Sequence, residues 1–212
     1  MICVSLAEIS LEECRAELKT IDFAEIRMDT MDLGVEDIMS LYSSHPRLIA
    51  TCRPGRFGRQ ERLEKLLAAV GAGASYVDIE LEADGDYKSE IIALSRAKGS
   101  AVIISHHDFE RTPPRKKLDA VVESCFKAGA DIAKIACRAL FPRDCARLLG
   151  LLDDPRAIIV IGMGEAGRIT RPAALLAGSP FTYVSPAAGR ESAPGQLDKE
   201  HLETALQYLK DV

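Results

Sequence analysis

The chain has 212 residues, 47% of them hydrophobic, and 27 Lys and Arg against 32 Asp and Glu give a formal net charge of −5. That length suffices for one domain with a buried core, and the acidic balance excludes the basic stripe of a nucleic-acid surface. No apolar run approaches the ~20 residues needed to cross a bilayer, and "MICVSLAEIS" has neither the basic n-region nor the long h-region of a signal peptide.

Short apolar, β-branched runs recur along the chain and read as strands. In order they are ICVSLA (2–7), AEIRMD (24–29), RLIATCR (47–53), YVDIELE (76–82), AVIISHH (101–107), DIAKIAC (131–137), AIIVIGM (157–163) and FTYVSP (181–186). Most are nearly continuous apolar runs, the pattern of parallel strands covered on both faces. Stretches of helical period separate them: SLEECRAELKT, VEDIMSLY, RLEKLLAAVGA, YKSEIIALSRAK, PRKKLDAVVESCFKAGA, PRDCARLLGLL and TRPAALLAG. LDKEHLETALQYLKDV closes the chain, and Ser10 with Glu13 has the spacing of a capping box. Eight β–α units of ~26 residues each predict a single-domain (β/α)8 TIM barrel over residues 1–212. A doubly wound sheet is the structural alternative, but it wants a Gly-rich turn after the first strand, and SLAEIS is not one.

The six Cys (3, 14, 52, 125, 137 and 145) form no C-x-x-C pair and read as reduced thiols in a cytoplasmic protein. The absence of Asn removes any glycosylation sequon.

In a barrel, catalytic groups collect at the C-terminal ends of the strands. Those ends carry Ser5; Glu25, Arg27 and Asp29; Arg53; Asp78, Glu80 and Glu82; Ser105, His106 and His107; and Lys134. Strand 7 leads into GMGEAGRITR and strand 8 into SPAAGRESAPGQ, whereas the N-terminal ends offer mainly HPR, GAS and KGS. Each group also has a plain structural reading. Glu25 and Arg27 are two apart and share a face, so an ion pair inside the barrel would account for both. GMGEAG is either a phosphate cradle or only a tight turn. GRESAPGQ is either a mobile lid or an ordinary loop. Lys134 is harder to explain structurally, because burial in an apolar strand disfavours its charged form and a free amine can attack a ketone. Adjacent strand positions face opposite ways, so only one of His106 and His107 faces the barrel mouth. That geometry suits one acid/base histidine better than two metal ligands.

The segments VSLA, EIRMD, TCRP, VDIELE, SHHDFERTP, DIAKIA, GMGEAGRITR and SAPGQLD, in this order, resemble the type I 3-dehydroquinate dehydratase family over nearly the whole chain. The resemblance implies a metal-free (β/α)8 enzyme without cofactor. It would remove water from 3-dehydroquinate through a lysine Schiff base, the third step of the shikimate pathway of aromatic amino acid biosynthesis. The family's imine-forming lysine falls on Lys134 and its acid/base histidine on His107. Its substrate-binding positions fall on Ser5, Glu25, Arg27, Arg53, Arg171, Ser192 and Gln196, with Arg171 the carboxylate clamp. The only partner implied is the small-molecule substrate, with no nucleic acid and no membrane; a homodimer is expected from the resemblance alone.

Two departures from the family pattern stand out. The chain begins almost at strand 1, without the N-terminal hairpin many members carry, and Phe57 stands where a Glu commonly partners the histidine. Glu61 and Glu80 are the candidate replacements. The competing functions are a class I Schiff-base aldolase on a (β/α)8 barrel, a divalent-metal sugar isomerase using Glu25, Asp78, Glu80 and His106 or His107, and a non-catalytic binding barrel. None of them accounts for Lys134, His107 and Arg171 together.

Overall fold

Every one of the eight apolar runs is a strand in the computed structural model, which describes residues 1–210, side chains through Leu209. The strands are β1 (Ile2–Leu6), β2 (Ala24–Arg27), β3 (Leu48–Thr51), β4 (Tyr76–Glu80), β5 (Ala101–Asp108), β6 (Ile132–Arg138), β7 (Ile158–Met163) and β8 (Thr182–Val184). Between and after them run α1 (Leu11–Glu17), α2 (Val35–Ser44), α3 (Arg59–Gly71), α4 (Gly85–Lys98), α5 (Arg115–Lys127), α6 (Pro142–Leu149), α7 (Thr170–Leu176) and α8 (Lys199–Lys210). The last two residues of the expected closing helix, Asp211 and Val212, lie outside the described residues.

The strands hydrogen-bond in the order β7-β6-β5-β4-β3-β2-β1-β8. Sequence neighbours are sheet neighbours from β1 to β7, and the last strand lies parallel beside the first, pairing Ile2 with Thr182 and Val4 with Val184. This cyclic order is that of a (β/α)8 barrel; a doubly wound sheet reverses its order at a switch point.

Two compact units make up the chain. One comprises Met1–Val4, Ser105–Lys127 and the chain from Ile132 onward, the other Ser5–Ile104 with Ala128–Asp131. In the second unit Ile26, Leu48, Ile49, Val77 and Ile79 are fully buried, and α3 covers them with Leu63, Leu66, Ala69 and Val70, spaced three and four apart. The core of the first unit is built likewise from Ile135, Ile159, Val160, Phe181 and Val184. All six cysteines are buried thiols, and burial pushes Cys14, Cys52 and Cys137 up to about 12, so they stay protonated and unreactive.

Several strands end earlier than the apolar pattern suggests, because side chains claim the backbone. After Arg27 the chain turns through a short 3-10 segment, Met28–Thr30, with the Thr30 hydroxyl donating to the Arg27 carbonyl at 3.0 Å. The capping box at the start of α1 is present: Glu13 accepts from the Ser10 amide at 2.8 Å, and the Ser10 hydroxyl accepts from the Glu13 amide at 3.2 Å. No helix among the described residues is long and apolar enough to cross a membrane.

Candidate active site

Lys134 lies in β6 with Ile132–Cys137 all buried around it, and is itself 5% exposed. Its ammonium nitrogen stands 4.1 Å from the centroid of the Tyr183 ring on β8, a cation–π contact. The carbonyl of Tyr183 in turn accepts from a terminal nitrogen of Arg171 at 2.8 Å. Tyr183 thus joins the two basic residues on which the sequence reading most depends. Sequence inspection missed it; the signal available was an aromatic between two threonine and valine positions of the shortest strand.

Arg171 is the largest fully buried side chain, at 1% exposed. Its Nε donates to the Gly195 carbonyl at 3.1 Å, so main-chain oxygens hold the guanidinium. Burial, followed by the nearby Arg168 charge, brings it down to about 10. No anionic side chain contributes to that shift. A cation buried this deeply and held only by carbonyls retains the capacity to take an anion.

The GMGEAG turn packs tightly on its own backbone. A side chain at Gly167 would place its Cβ 2.2 Å from the Gly162 oxygen. The Thr170 hydroxyl ties the same approach together, accepting from the Gly162 amide at 2.8 Å and donating to the Gly167 carbonyl at 2.7 Å. Two amides of the turn are taken up within the fold: that of Gly167 binds the Gly164 carbonyl, and that of Gly164 the Pro194 carbonyl. The turn seats the first residues of α7, and Arg171 with them.

The loop after β8 is anchored on the same turn. Gln196, 4% exposed, accepts through its side-chain oxygen from the Ser192 amide at 2.7 Å and from the Ser192 hydroxyl at 3.1 Å. Ser185 pairs with the returning chain, its amide donating to Leu197 and its carbonyl accepting from Lys199. Gly195 has φ +73°, and a Cβ there would fall 2.2 Å from the Gly164 oxygen. Gly195→Ala should therefore undock residues 192–196, releasing Ser192 and Gln196. Limited proteolysis should then cut this loop faster while the thermal midpoint changes little; unchanged proteolysis would mean the turn absorbs the clash.

His106 and His107 are both half-buried at the end of β5. The His107 ring stacks on Phe109, centroids 5.8 Å apart and planes at 13°, and adjacent positions of an extended strand point to opposite faces. The residues that follow fix this end of the strand. Asp108 accepts from the amides of Glu110 and Arg111, and Thr112 donates to the Arg138 carbonyl at the end of β6 at 2.9 Å. The sequence HDFERT is thus a strand terminus tied to the neighbouring strand.

The second unit holds Ser5, Glu25, Arg27 and Arg53. The hydroxyls of Ser5 and Thr51 donate to the two oxygens of buried Glu25, the latter at 2.8 Å. Arg27 forks onto Asp29 at 3.0 and 2.7 Å, so the partner of its guanidinium is two residues onward rather than two residues back. Burial opposes the charge on Arg27, but the hydrogen bonds to Asp29 and the Glu25 charge outweigh it and raise its pKa. Arg53 is held by Asp78 at 2.9 Å and Glu80 at 3.1 Å, and these carboxylates overcome burial in the same way.

Neither candidate replacement for the family's glutamate is idle. Glu80 is engaged by Arg53, and Glu61 is half-exposed on α3, 3.8 Å from Lys65. Phe57 itself packs against Lys65, whose nitrogen is 4.5 Å from the ring centroid, and against Arg56 at 5.0 Å. Among the described residues no three His, Cys, Asp or Glu side chains are grouped so as to hold a metal ion.

The family model of type I 3-dehydroquinase matches residues 2–212. A 3-dehydroquinate dehydratase of Methanocaldococcus jannaschii is 35% identical over 221 residues, covering 99% of each chain. The crystal structure of the 3-dehydroquinate dehydratase from Aquifex aeolicus superposes with a TM-score of 0.84 at 28% identity, over 100% of both chains. That from Geobacillus kaustophilus gives 0.86 at 26% identity, over 99% of this chain and 91% of the other. Matched from its second residue to its last, with eight parallel strands in cyclic order, the chain belongs to the type I 3-dehydroquinase family.

Proposed function

We propose that residues 1–212 act as one catalytic domain, a hydro-lyase that converts 3-dehydroquinate to 3-dehydroshikimate in the shikimate pathway through an imine on Lys134. The observation that carries this reading is Lys134 itself, a lysine 5% exposed within an apolar strand, its nitrogen set against the Tyr183 ring. The amine attacks the C3 ketone of the substrate, and loss of that oxygen as water leaves a protonated imine. The iminium draws electrons from the adjacent C2–H bond, and His107 takes the proton to give an enamine. The enamine expels the C1 hydroxyl, which leaves as water with the proton held by His107. Hydrolysis of the imine then frees the product and restores Lys134, so the balance is one water lost. A residue acting first as base and then as acid suits imidazole, whose ordinary pKa lies near neutrality.

Arg171 is the clamp for the substrate carboxylate, and Ser192 and Gln196 close over the substrate. Ser5, Glu25, Arg27 and Arg53 order the ring hydroxyls, Arg27 and Arg53 already being fixed by carboxylate partners. The test is mass spectrometry after borohydride treatment. Protein with 3-dehydroquinate should gain one ligand-derived mass on Lys134, and protein treated alone should gain none. Label on another lysine, or none during turnover, overturns the imine mechanism.

Arg171→Ala should lower kcat/KM by roughly ten- to a hundredfold, mainly through KM, the loss of a charge-assisted pair worth ~1.5–3 kcal/mol. The sign of its pH dependence follows from burial, which brings Arg171 down to about 10. The guanidinium is fully charged below that pH and loses its proton as pH rises through it. KM for the parent enzyme should therefore climb on the alkaline side of pH 10, and this limb should vanish in Arg171→Ala; a limb that persists would belong to another group.

A further inference from the structure

A cavity of about 240 Å3 lies at the start of α3 and α4, walled by Pro54, Arg59, Arg62, Glu80, Asp84 and Tyr87, with Glu82 and Ala83 completing it. Buried polar atoms without a hydrogen-bond partner concentrate here: Nε and one terminal nitrogen of Arg62 and the Tyr87 hydroxyl. Buried polar groups in folded proteins are nearly always satisfied, so unsatisfied donors on residues that wall one cavity point to a ligand.

The cluster is mostly of donors. The Tyr87 side chain is 1% exposed, and burial holds its phenol well above the ordinary value, so it is a protonated donor at neutral pH. Nε and one terminal nitrogen of Arg62 add charged N–H donors, which bind an anion more strongly than neutral ones. Both Arg59 and Arg62 stack on the Tyr87 ring, at 5.6 and 5.3 Å, which brings two cations to one place. Their counter-charges are unequal. Arg59 is paired with Asp84 at 3.2 Å, whereas Arg62 has only a loose contact with Glu80 at 3.8 Å, and Glu80 is claimed more closely by Arg53. Neither helix that begins here is capped by a side chain: Gly58 before α3 cannot do so, and Asp84 before α4 makes no capping hydrogen bond. Two helix N-termini therefore add their partial positive charge to that of the arginines.

From this convergence of unsatisfied donors we infer that the cavity binds a small oxyanion, a carboxylate or a phosphate, held by an Arg62 N–H and the Tyr87 hydroxyl with Arg59 at the rim. Pro54 in its wall directly follows Arg53, but the site uses none of the residues assigned to the reaction except the shared Glu80. It stands whether or not the imine mechanism does.

The test is calorimetric titration of the intact protein with inorganic phosphate and, separately, with acetate. Saturable binding of either is expected, and which of the two binds more tightly identifies the source of the oxyanion. Binding should weaken at least about tenfold in Arg62→Met and about three- to tenfold in Tyr87→Phe, each losing charged or neutral hydrogen bonds to the anion. Tyr87→Phe keeps the ring and its stacking, so it remains informative if Arg62→Met does not fold. Because Arg171 also takes an anion, the titration is repeated in Arg171→Ala, where binding should persist. No saturable binding of either anion, equal binding in parent and both variants, or binding lost in Arg171→Ala and kept in Arg62→Met would each overturn the proposal.

Discussion

Lys134→Met is expected to abolish turnover and leave a protein at least as heat-stable as the parent. Removing a covalent nucleophile costs on the order of 10⁶-fold where the intermediate it forms carries the reaction, and thioether sulfur cannot form an imine. The stability half of the expectation comes from the strand. Lys134 is 5% exposed among apolar neighbours and lies under the Tyr183 ring. Methionine has nearly the same length, carries no charge to desolvate, and makes favourable sulfur–aromatic contacts. Active-site residues often cost stability for this reason. Steady-state kinetics and a thermal melt measure the two halves together. Turnover within tenfold of the parent would remove Lys134 from the chemistry, and a melting temperature lowered by more than several degrees would make it a structural residue instead.

The two adjacent histidines should part company. His107→Ala should reduce kcat by about 10²–10⁴-fold, the usual worth of general acid–base catalysis, while His106→Ala should cost far less. Alternation along β5 separates their faces, and the stacking of His107 on Phe109 fixes which side its ring takes. Imine formation needs Lys134 alone, so borohydride with substrate should still label His107→Ala, and label should accumulate because proton abstraction is blocked. Equal losses at both positions would count against the assignment, and a larger loss at His106 would reverse it. Glu80→Gln bears on orientation: Glu80 is bound to Arg53, so its removal should raise KM through Arg53 before it alters the pH dependence of kcat.

Much of this was legible in one sequence. All eight strands were visible because parallel strands covered on both faces are nearly continuous apolar runs, and the polar residues interrupting them fall at their C-terminal ends. Lys134 was conspicuous because a lysine is out of place in DIAKIAC, and the helix start at Ser10 was readable from its own chemistry. Strand ends were read less well, since they depend on side chains such as Thr30 and Asp108 competing for backbone groups.

By itself, then, the sequence determined the order and kind of elements, the family, and the residue types that carry chemistry, because these rest on local period and short motifs. The tertiary structure alone decided partnerships between distant residues. It gave Arg27 to Asp29 and Arg53 to Asp78 and Glu80, set Tyr183 between Lys134 and Arg171, and packed GMGEAG under the start of α7. It also left Arg62 and Tyr87 buried with donors to spare, on helices that nothing in their own sequence marks as a site. The physical reason is range. Backbone propensity acts over a few residues, whereas desolvation, ion pairing and the close approach of Gly195 to Gly164 depend on what the folded chain brings within a few ångströms.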